Sequence, residues 1–460
     1  MKPQDTVWGG RAVQRAAVPL VLLMLLAGCS QSAAPGADAP GGPGGPGGAG
    51  SVGNVTQLPD DLGTLTALPE LKLGSGDGEP NIAVDANGTI YITPVSNFYV
   101  STDGGKSFTD RGTTKTVGHG DGDIAIDERG CVHWLGLSPG IPYQVSCDQG
   151  KTFSDAVDIS NGTGSDREWI DAAGAQIAAS WRDGAGYVSR VSQDHGAHWG
   201  PKVLISSSSF LGGPIIHDPR QPSRLWIPGT DGPTVDLYRS DDAGGHWNKT
   251  PAMPLPNGPA DVLQPTQIFP VVAQDDAGNL YMVVSTKQPV SILPTTTVPK
   301  QASLYGIYLA VSTDLGKTWS DPRLLSTPMK DGVMPFITAG AKGRIAIVWY
   351  ENTIGLPDDV LPDLWNVKMF VGIGQDTGAG KSQVVQLNGQ PNHIGGLCSN
   401  GLICVAGGDR CLLDYFEVAL NPAGYPVVTW SNCSAGTGAG VAAVATTVYY
   451  GGIANGTPLR

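Results

Sequence analysis

One short pattern recurs along this chain and limits what it can fold into more than any other feature. Ser101-Thr-Asp103-Gly-Gly105-Lys-Ser-Phe108 is followed by Ser146-Cys-Asp148-Gln-Gly150-Lys-Thr-Phe153 and Ser192-Gln-Asp194-His-Gly196-Ala-His-Trp199. Ser240-Asp-Asp242-Ala-Gly244-Gly-His-Trp247 and Ser312-Thr-Asp314-Leu-Gly316-Lys-Thr-Trp319 complete a set of five. Successive aspartates lie 45, 46, 48 and 72 residues apart (148−103, 194−148, 242−194, 314−242), the period of four-stranded units set side by side. In a tight turn an Asp accepts backbone N–H groups, a Gly supplies positive φ, and an aromatic fills the space between neighbouring sheets. The pattern is therefore a hairpin clasp, and Asp103, Asp148, Asp194, Asp242 and Asp314 carry structure rather than catalysis.

Each clasp is preceded by an apolar strand, a turn and a second strand. Such units run Ile82–Tyr91, Ile124–His133, Ile170–Trp181, Ile215–Ile227, Val271–Val284, Phe336–Trp349 and Phe416–Trp430. They predict an all-β chain, a seven-bladed β-propeller, with six blades as the alternative. The last two units lack a clasp, and Gly372 to Gln386 reads as a decayed hairpin. The ring closes if Leu58 to Leu73 supplies the outer strand of the last blade. With 65 Gly, 36 Pro and only 15% charged residues, the composition suits many short strands joined by tight turns.

The clasp resembles the Asp box, or BNR repeat, of sialidases and their many non-sialidase relatives, and the resemblance spans essentially the whole mature domain. It implies a ring whose clasps sit on one face, while the loops between blades and between second and third strands share the other.

Lys2, Arg11 and Arg15 precede an apolar run from Val18 to Leu26, which is short for a membrane-spanning helix and reads as a signal peptide. A transmembrane anchor is the alternative. Leu26-Ala27-Gly28-Cys29 resembles the bacterial lipobox, which implies cleavage and lipidation at Cys29. The expected organisation is a signal peptide over 1–28, a Gly/Pro-rich tether over 29–53 and a propeller over 54–460, extracytoplasmic and lipid-anchored to the cell membrane. A formal charge of −13 argues against nucleic acid as a partner. A monomer is expected.

Setting Cys29 aside leaves six cysteines, an even number that suggests three disulfides in an exported chain. Cys131 and Cys147 flank one turn and Cys411 and Cys433 another, so each pair can face across a hairpin; Cys398 and Cys404 remain for each other. Free thiols or a metal site are the alternative, but no Cys-x-x-Cys pair exists and the nearest histidine, His393, stands alone. No metal or other cofactor is expected; a Ca²⁺ held by loop carboxylates and carbonyls is the alternative, with no EF-hand spacing to support it.

The loops of the functional face hold Asp77, Glu79, His119, Asp121, Asp123, Asp166, Arg167, Glu168, Trp169, Arg182, Asp183, Tyr350, Glu351, Arg410 and Asp414. Ser-Asp-Arg-Glu-Trp-Ile (165–170) and Gly-Asp-Arg-Cys-Leu-Leu-Asp-Tyr-Phe (408–416) resemble segments of bacterial sialidase-like proteins. That resemblance implies Arg167, Arg182 and Arg410 gripping a substrate carboxylate, Asp121, Asp123 or Asp166 as acid/base, and Tyr350 activated by Glu351 as nucleophile. The Phe/Tyr-Arg-Ile-Pro segment of classical sialidases is missing, however, and adjacent strand residues such as Tyr350 and Glu351 point to opposite faces. Arg167 and Arg410 could instead pair with carboxylates to tie blades together, and Asp121 and Asp123 could serve turn chemistry. Gly136-Leu-Ser138-Pro-Gly140 lacks the helix a nucleophile elbow opens, and Gly378-Ala-Gly380-Lys381-Ser382 lacks the first glycine of a phosphate loop. His195, His198 and His246 lie within clasps and read as solvated turn residues.

The leading expectation is a recognition propeller that binds a glycan or protein ligand in its axial mouth, through Arg167, Glu168, Trp169, Arg182, Arg410, Asp414, Asp121 and Asp123. A glycoside hydrolase of sialidase type, with Tyr350, Glu351 and Asp166 catalytic, is the rival. An assembly scaffold, resembling the lipid-anchored Asp-box propellers that help build photosynthetic complexes, is the third.

Overall fold

The computed structural model describes residues 61–76, 78–95, 97–112, 121–137, 140–161, 166–207, 211–230, 234–254, 269–288, 304–353, 364–374, 381–397, 410–433 and 446–460. The lipobox, the tether, Asp77, His119 and the pair Cys398 and Cys404 lie outside these residues. Gln57–Arg460 form one compact unit built of seven antiparallel sheets, and no helix occurs among the described residues. The innermost strands, in chain order, are Asn81–Val84, Gly122–Ile126, Asp166–Ala173, Ile216–Asp218, Val271–Gln274, Gly332–Ala339 and Val418–Leu420. They begin blades 1 to 7, and each blade then runs outward by hairpins. The seven strand–turn–strand units of the sequence are the inner hairpins of these seven sheets, so the ring has seven blades and not six.

A sheet with a neighbour on each side buries both faces, and its strands lose the usual apolar–polar alternation. Arg344–Asn352, the second strand of blade 6, is buried along its whole length. The same position in the ring takes the large rings: Trp134, Trp181, Trp226, Trp349 and Trp430, on five different second strands, are all fully buried.

The clasps are built as the sequence predicts. In blade 1 the Asp103 carboxylate accepts the N–H groups of Lys106 and Ser107 (3.0 and 3.0 Å) and the Ser101 hydroxyl (2.8 Å), while Ser101 Oγ accepts Gly105 N–H at 2.8 Å. Each clasp aromatic or glycine packs on the preceding blade. Phe108 meets Tyr450 at 5.0 Å between ring centroids, Phe153 meets Phe98 at 5.1 Å, and Trp199 meets Tyr143 at 5.1 Å. Not only the glycine but also the residue before it takes positive φ, as at Gln149 (64°), His195 (60°), Ala243 (56°) and Leu315 (62°). Three of the clasp histidines do not behave alike. His198 and His246 are exposed and bond their own clasp aspartates, but His195 Nδ1 lies 2.9 Å from Asp127 Oδ2 of blade 2, which corrects its reading as a solvated turn residue.

Blade 7 closes the ring. Its order from the axis outward is Val418–Leu420, Pro426–Asn432, Thr446–Gly452 and then Leu71–Gly76 from the N-terminal side. The closing strand thus lies at the end of the expected segment and extends past it. Gly372 to Gln386 falls where Leu364–Ile373 pairs antiparallel with Lys381–Gln386, with the connecting turn outside the described residues. Disulfides join Cys131 to Cys147 and Cys411 to Cys433. His393 does not stand alone: its Nδ1 lies 3.4 Å from Cys411 Sγ and 3.3 Å from Cys433 Sγ, all three buried.

Candidate functional site

Where the innermost strands begin, two positions have separate jobs. Counting back from the first core residue of the inner strand in blades 1, 2, 3 and 7, the residue immediately before it reaches to the next blade. Asn81 Nδ2 donates to Gly122 O at 2.5 Å, Asp123 Oδ2 accepts Ile170 N–H at 2.8 Å, and Trp169 Nε1 donates to Gly212 O at 3.3 Å. Glu417 Oε2 accepts Ile82 N–H at 3.1 Å and so stitches blade 7 to blade 1. The residue three before the first core residue faces the axis instead: Glu79, Asp121, Arg167 and Tyr415 in blades 1, 2, 3 and 7. This division corrects two ligand assignments. Asp123 spends one oxygen on Ile170 and the other on Ile124 N–H (2.7 Å), and Trp169 is a buried strut whose ring meets Phe269 and Tyr415 at centroid distances of 4.7 and 5.0 Å.

The axial residues converge from blades 1, 2, 3 and 7. Arg167 Nη2 lies 2.6 Å from Asp414 Oδ2, and Arg410 Nη1 lies 2.8 Å from Asp414 Oδ1. Asp414 N–H donates to Glu79 Oε1 at 3.1 Å, and the Tyr415 hydroxyl donates to Gly122 O at 2.6 Å. Arg167 sits at φ 58° in a bulge between Asp166 and Trp169, and Glu79 sits at φ 45°. Left-handed conformations at non-glycine residues cost free energy, and here they turn both side chains out of the strand alternation. A crevice beside Asp121, too narrow to hold a water molecule, is lined by Asn81, Thr93, Val95, Gly122 and Trp134.

Carboxyl groups outnumber guanidiniums at this mouth. Glu79, Asp121, Asp166, Glu168 and Asp414 face Arg167 and Arg410, and both guanidiniums are already held by Asp414. Burial would raise the Asp414 carboxyl, but the two arginines hold it below its ordinary value. For the others burial outweighs what help the arginines give. Burial pushes Glu79 well above the carboxylate range, and the facing Asp121 and Asp414 push it further. Burial does the same to Glu168, reinforced by Asp121, and it also raises Asp166. Glu168 is 1% exposed, and neither of its carboxylate oxygens has a partner on another residue. Glu79 Oε2 and Arg167 Nη1 are likewise unmatched.

The remaining expected site residues lie elsewhere or differently. Tyr350 is fully buried against Phe416, with ring centroids 4.2 Å apart, and its hydroxyl accepts Ser431 N–H at 3.2 Å. Glu351 points to the other face of the sheet and accepts Thr327 N–H and the Thr327 hydroxyl, both at 2.9 Å. The pairing of Tyr350 with Glu351 as an activated nucleophile is therefore corrected: the two occupy opposite faces of one strand, as strand geometry demands. Arg182 is exposed and stands opposite Asp166 across the first two strands of blade 3. Tyr415 and Glu417 were missed by the sequence reading, although both fall at the two positions that the inner-strand spacing defines.

No family model and no curated protein matches the chain. Among solved structures it is similar to an α-L-arabinanase of Penicillium chrysogenum complexed with arabinobiose, at 12% identity over 85% of this chain and 98% of that one, with a TM-score of 0.42. It is similar to YCF48 bound to a D1 peptide at 10% identity over 86% and 99%, with a TM-score of 0.45. It is similar also to the intramolecular trans-sialidase of Ruminococcus gnavus at 14% identity over 76% and 89%, with a TM-score of 0.35. The chain is a seven-bladed β-propeller in fold.

Proposed function

We propose that this chain is an extracytoplasmic, lipid-anchored propeller that binds the end of a glycan in its axial mouth. One observation carries the reading: Glu168, 1% exposed, keeps two carboxylate oxygens without a partner on another residue, and Glu79 Oε2 and Arg167 Nη1 are unmatched too. Buried polar atoms left unmatched cost roughly 1–3 kcal/mol each, and a sugar carries hydroxyls able to meet several of them at once. Blades 1 and 3 supply these groups from rigid strand starts, so the arrangement is preorganised. Binding of the detergent-extracted full chain to an immobilised glycan panel tests the reading. A defined set of bound sugars, lost in Glu168→Ala, is the expected result, and uniform absence of binding defeats it.

A hydrolytic reading has one observation in its favour. A carboxyl pushed up by burial, as at Glu168 and Glu79, holds its proton to higher pH than an ordinary carboxyl, which is what a general acid requires. Acidic sugars are the poorer fit, because Asp414 occupies the arginines that would grip their carboxylate. Turnover of fluorogenic glycosides, abolished by Glu168→Gln, is the outcome that would favour hydrolysis over binding alone.

A further inference from the structure

Three segments distant in sequence bring one histidine and two cysteines together, all buried, at the seam between blades 6 and 7. His393 stands opposite Trp365, where the short strand His393–Ile394 pairs with the third strand of blade 6. Cys433 follows the second strand of blade 7, and its N–H donates at 2.8 Å to the carbonyl of Asn392, the residue before His393. Cys411 lies in the turn between Arg410 and Asp414, and its carbonyl accepts the Thr446 hydroxyl at 3.1 Å. The imidazole is oriented by its far nitrogen. Nε2 lies 3.4 Å from Gly396 O, and Trp365 Nε1 holds the adjacent Gly395 O at 2.9 Å. A carbonyl only accepts, so Nε2 carries the proton and Nδ1 keeps its lone pair. That nitrogen faces both sulfurs, with Cys433 Sγ at 3.3 Å and Cys411 Sγ at 3.4 Å.

Joined sulfurs carry no hydrogen and no positive charge to set against a lone pair, whereas a cation shared with two thiolates uses it fully. Zn²⁺ with sulfur at about 2.3 Å and nitrogen at about 2.0 Å in a tetrahedral array separates each sulfur from the nitrogen by roughly 3.3–3.6 Å. Both observed distances fall in that range. Only the sulfurs must part, to about 3.8 Å, and Cα atoms 6.1 Å apart leave room for this by side-chain rotation. We infer that Cys411, Cys433 and His393 are a site for a thiolate-preferring divalent cation of the Zn²⁺ class, filled when the chain folds with both cysteines reduced. The cation takes the place of the two thiol protons, which pass to the solvent; a metal–sulfur bond forms at each cysteine and a metal–nitrogen bond at Nδ1, with no change of oxidation state. Two thiolates and a neutral imidazole carry two negative charges, which Zn²⁺ cancels, so the buried site holds no net charge; Cu⁺ would leave one uncompensated. A backbone carbonyl at the far nitrogen is also the partner that metal-bound imidazoles ordinarily have. Once joined, the sulfurs no longer ligate as thiolates, so bridge and cation are exclusive occupants of one place. Three ligands leave a fourth coordination position over.

The full chain, purified in detergent without oxygen and with its cysteines reduced, is titrated with Zn²⁺ and with Co²⁺, whose thiolate charge-transfer band is visible. A Co²⁺ band that Zn²⁺ displaces is expected, and the air-oxidised chain should show none. Cys433→Ser should abolish the band and His393→Gln should weaken binding at least roughly 100-fold, while Cys131→Ser, at the other bridge, leaves both unchanged. X-ray absorption by Zn²⁺ bound to the unsubstituted chain does not depend on any variant folding, and it should show two sulfurs and at least one imidazole nitrogen around the metal. A reduced chain that binds neither cation, binding indifferent to both Cys433→Ser and His393→Gln, or a metal shell lacking either the sulfurs or the imidazole overturns the site.

Discussion

Arg167 and Asp414, 247 positions apart in sequence, meet at 2.6 Å across the axis and join blade 3 to blade 7. Asp414 also holds Arg410 at 2.8 Å, so a single carboxylate neutralises two guanidiniums. Replacing it by Asp414→Asn leaves two largely buried cations facing one another. The variant is expected to lose on the order of 3–5 kcal/mol of stability, read by denaturant unfolding. It should also gain affinity for a sialyl-oligosaccharide, because the arginines are then free to receive an anion. A variant as stable as the parent would show that the pair does not tie the ring.

Asp123→Leu removes the acceptor of two backbone N–H groups, Ile124 and Ile170, at the seam between blades 2 and 3. A cost of roughly 2–4 kcal/mol is expected from two orphaned donors. Hydrogen exchange should speed up at Ile170 before it does in blade 5, and a uniform increase across all blades would argue against a local stitch.

The clasp glycines can be tested by one methyl group. A Cβ at Gly316, where φ is 78°, would stand 2.6 Å from Leu237 Cδ2 of the preceding blade. Gly316→Ala should cost roughly 1–3 kcal/mol and lower the unfolding midpoint without changing glycan binding.

The response to pH has two opposed arms. Glu79, Glu168 and Glu417 have carboxyls raised above the ordinary 4.5, chiefly by burial, so the folded chain holds protons that the unfolded chain releases. Their contribution is complete below that value and is lost as pH rises through the folded-state pKa. The clasp aspartates Asp148, Asp194, Asp242 and Asp314 are lowered from 3.8 to about 2 by hydrogen bonds, so theirs is present above 3.8 and lost as pH falls toward 2. Unfolding midpoints recorded across pH 3–9 should peak near about pH 5, and Glu168→Gln should flatten the alkaline side alone. A maximum at pH 8 or above contradicts the burial of these carboxyls.

Removing the Cys131–Cys147 bridge by a double serine substitution opens a loop with a sequence separation of 16. A loss of about 3 kcal/mol is expected, visible as a shifted denaturation midpoint.

The ring was legible because its repeat is local. Ser, Asp, Gly and an aromatic within eight residues make the clasp by themselves, and the inner hairpins repeat with them, so blade number and closure follow from counting. The mouth is non-local, and there the sequence reading met its limit. That Arg167 and Arg410 share Asp414 depends on three segments whose meeting no spacing encodes, although pairing with carboxylates had been open as an alternative. Asp121 and Asp123 look equivalent in sequence; a shift of two places toward the core makes one axial and the other a seam bond. Tyr350 and Glu351 could be separated from sequence by strand alternation alone. Their partners, Ser431 and Thr327, could not be foreseen.

The strand that completes blade 7 has a consequence during synthesis. Leu71–Gly76 leaves the ribosome before any other strand of the ring, yet it pairs with Thr446–Gly452, some 370 residues later (446−76). At 5–20 residues per second it waits about 20–75 s with a bare edge able to pair with other chains. Six blades can collapse one upon another as they emerge, but the circle stays open until Thr446–Gly452 arrives. The growing chain therefore runs the risk of joining a neighbouring copy until that strand appears, and whatever shields it during synthesis must cover the first strand longest.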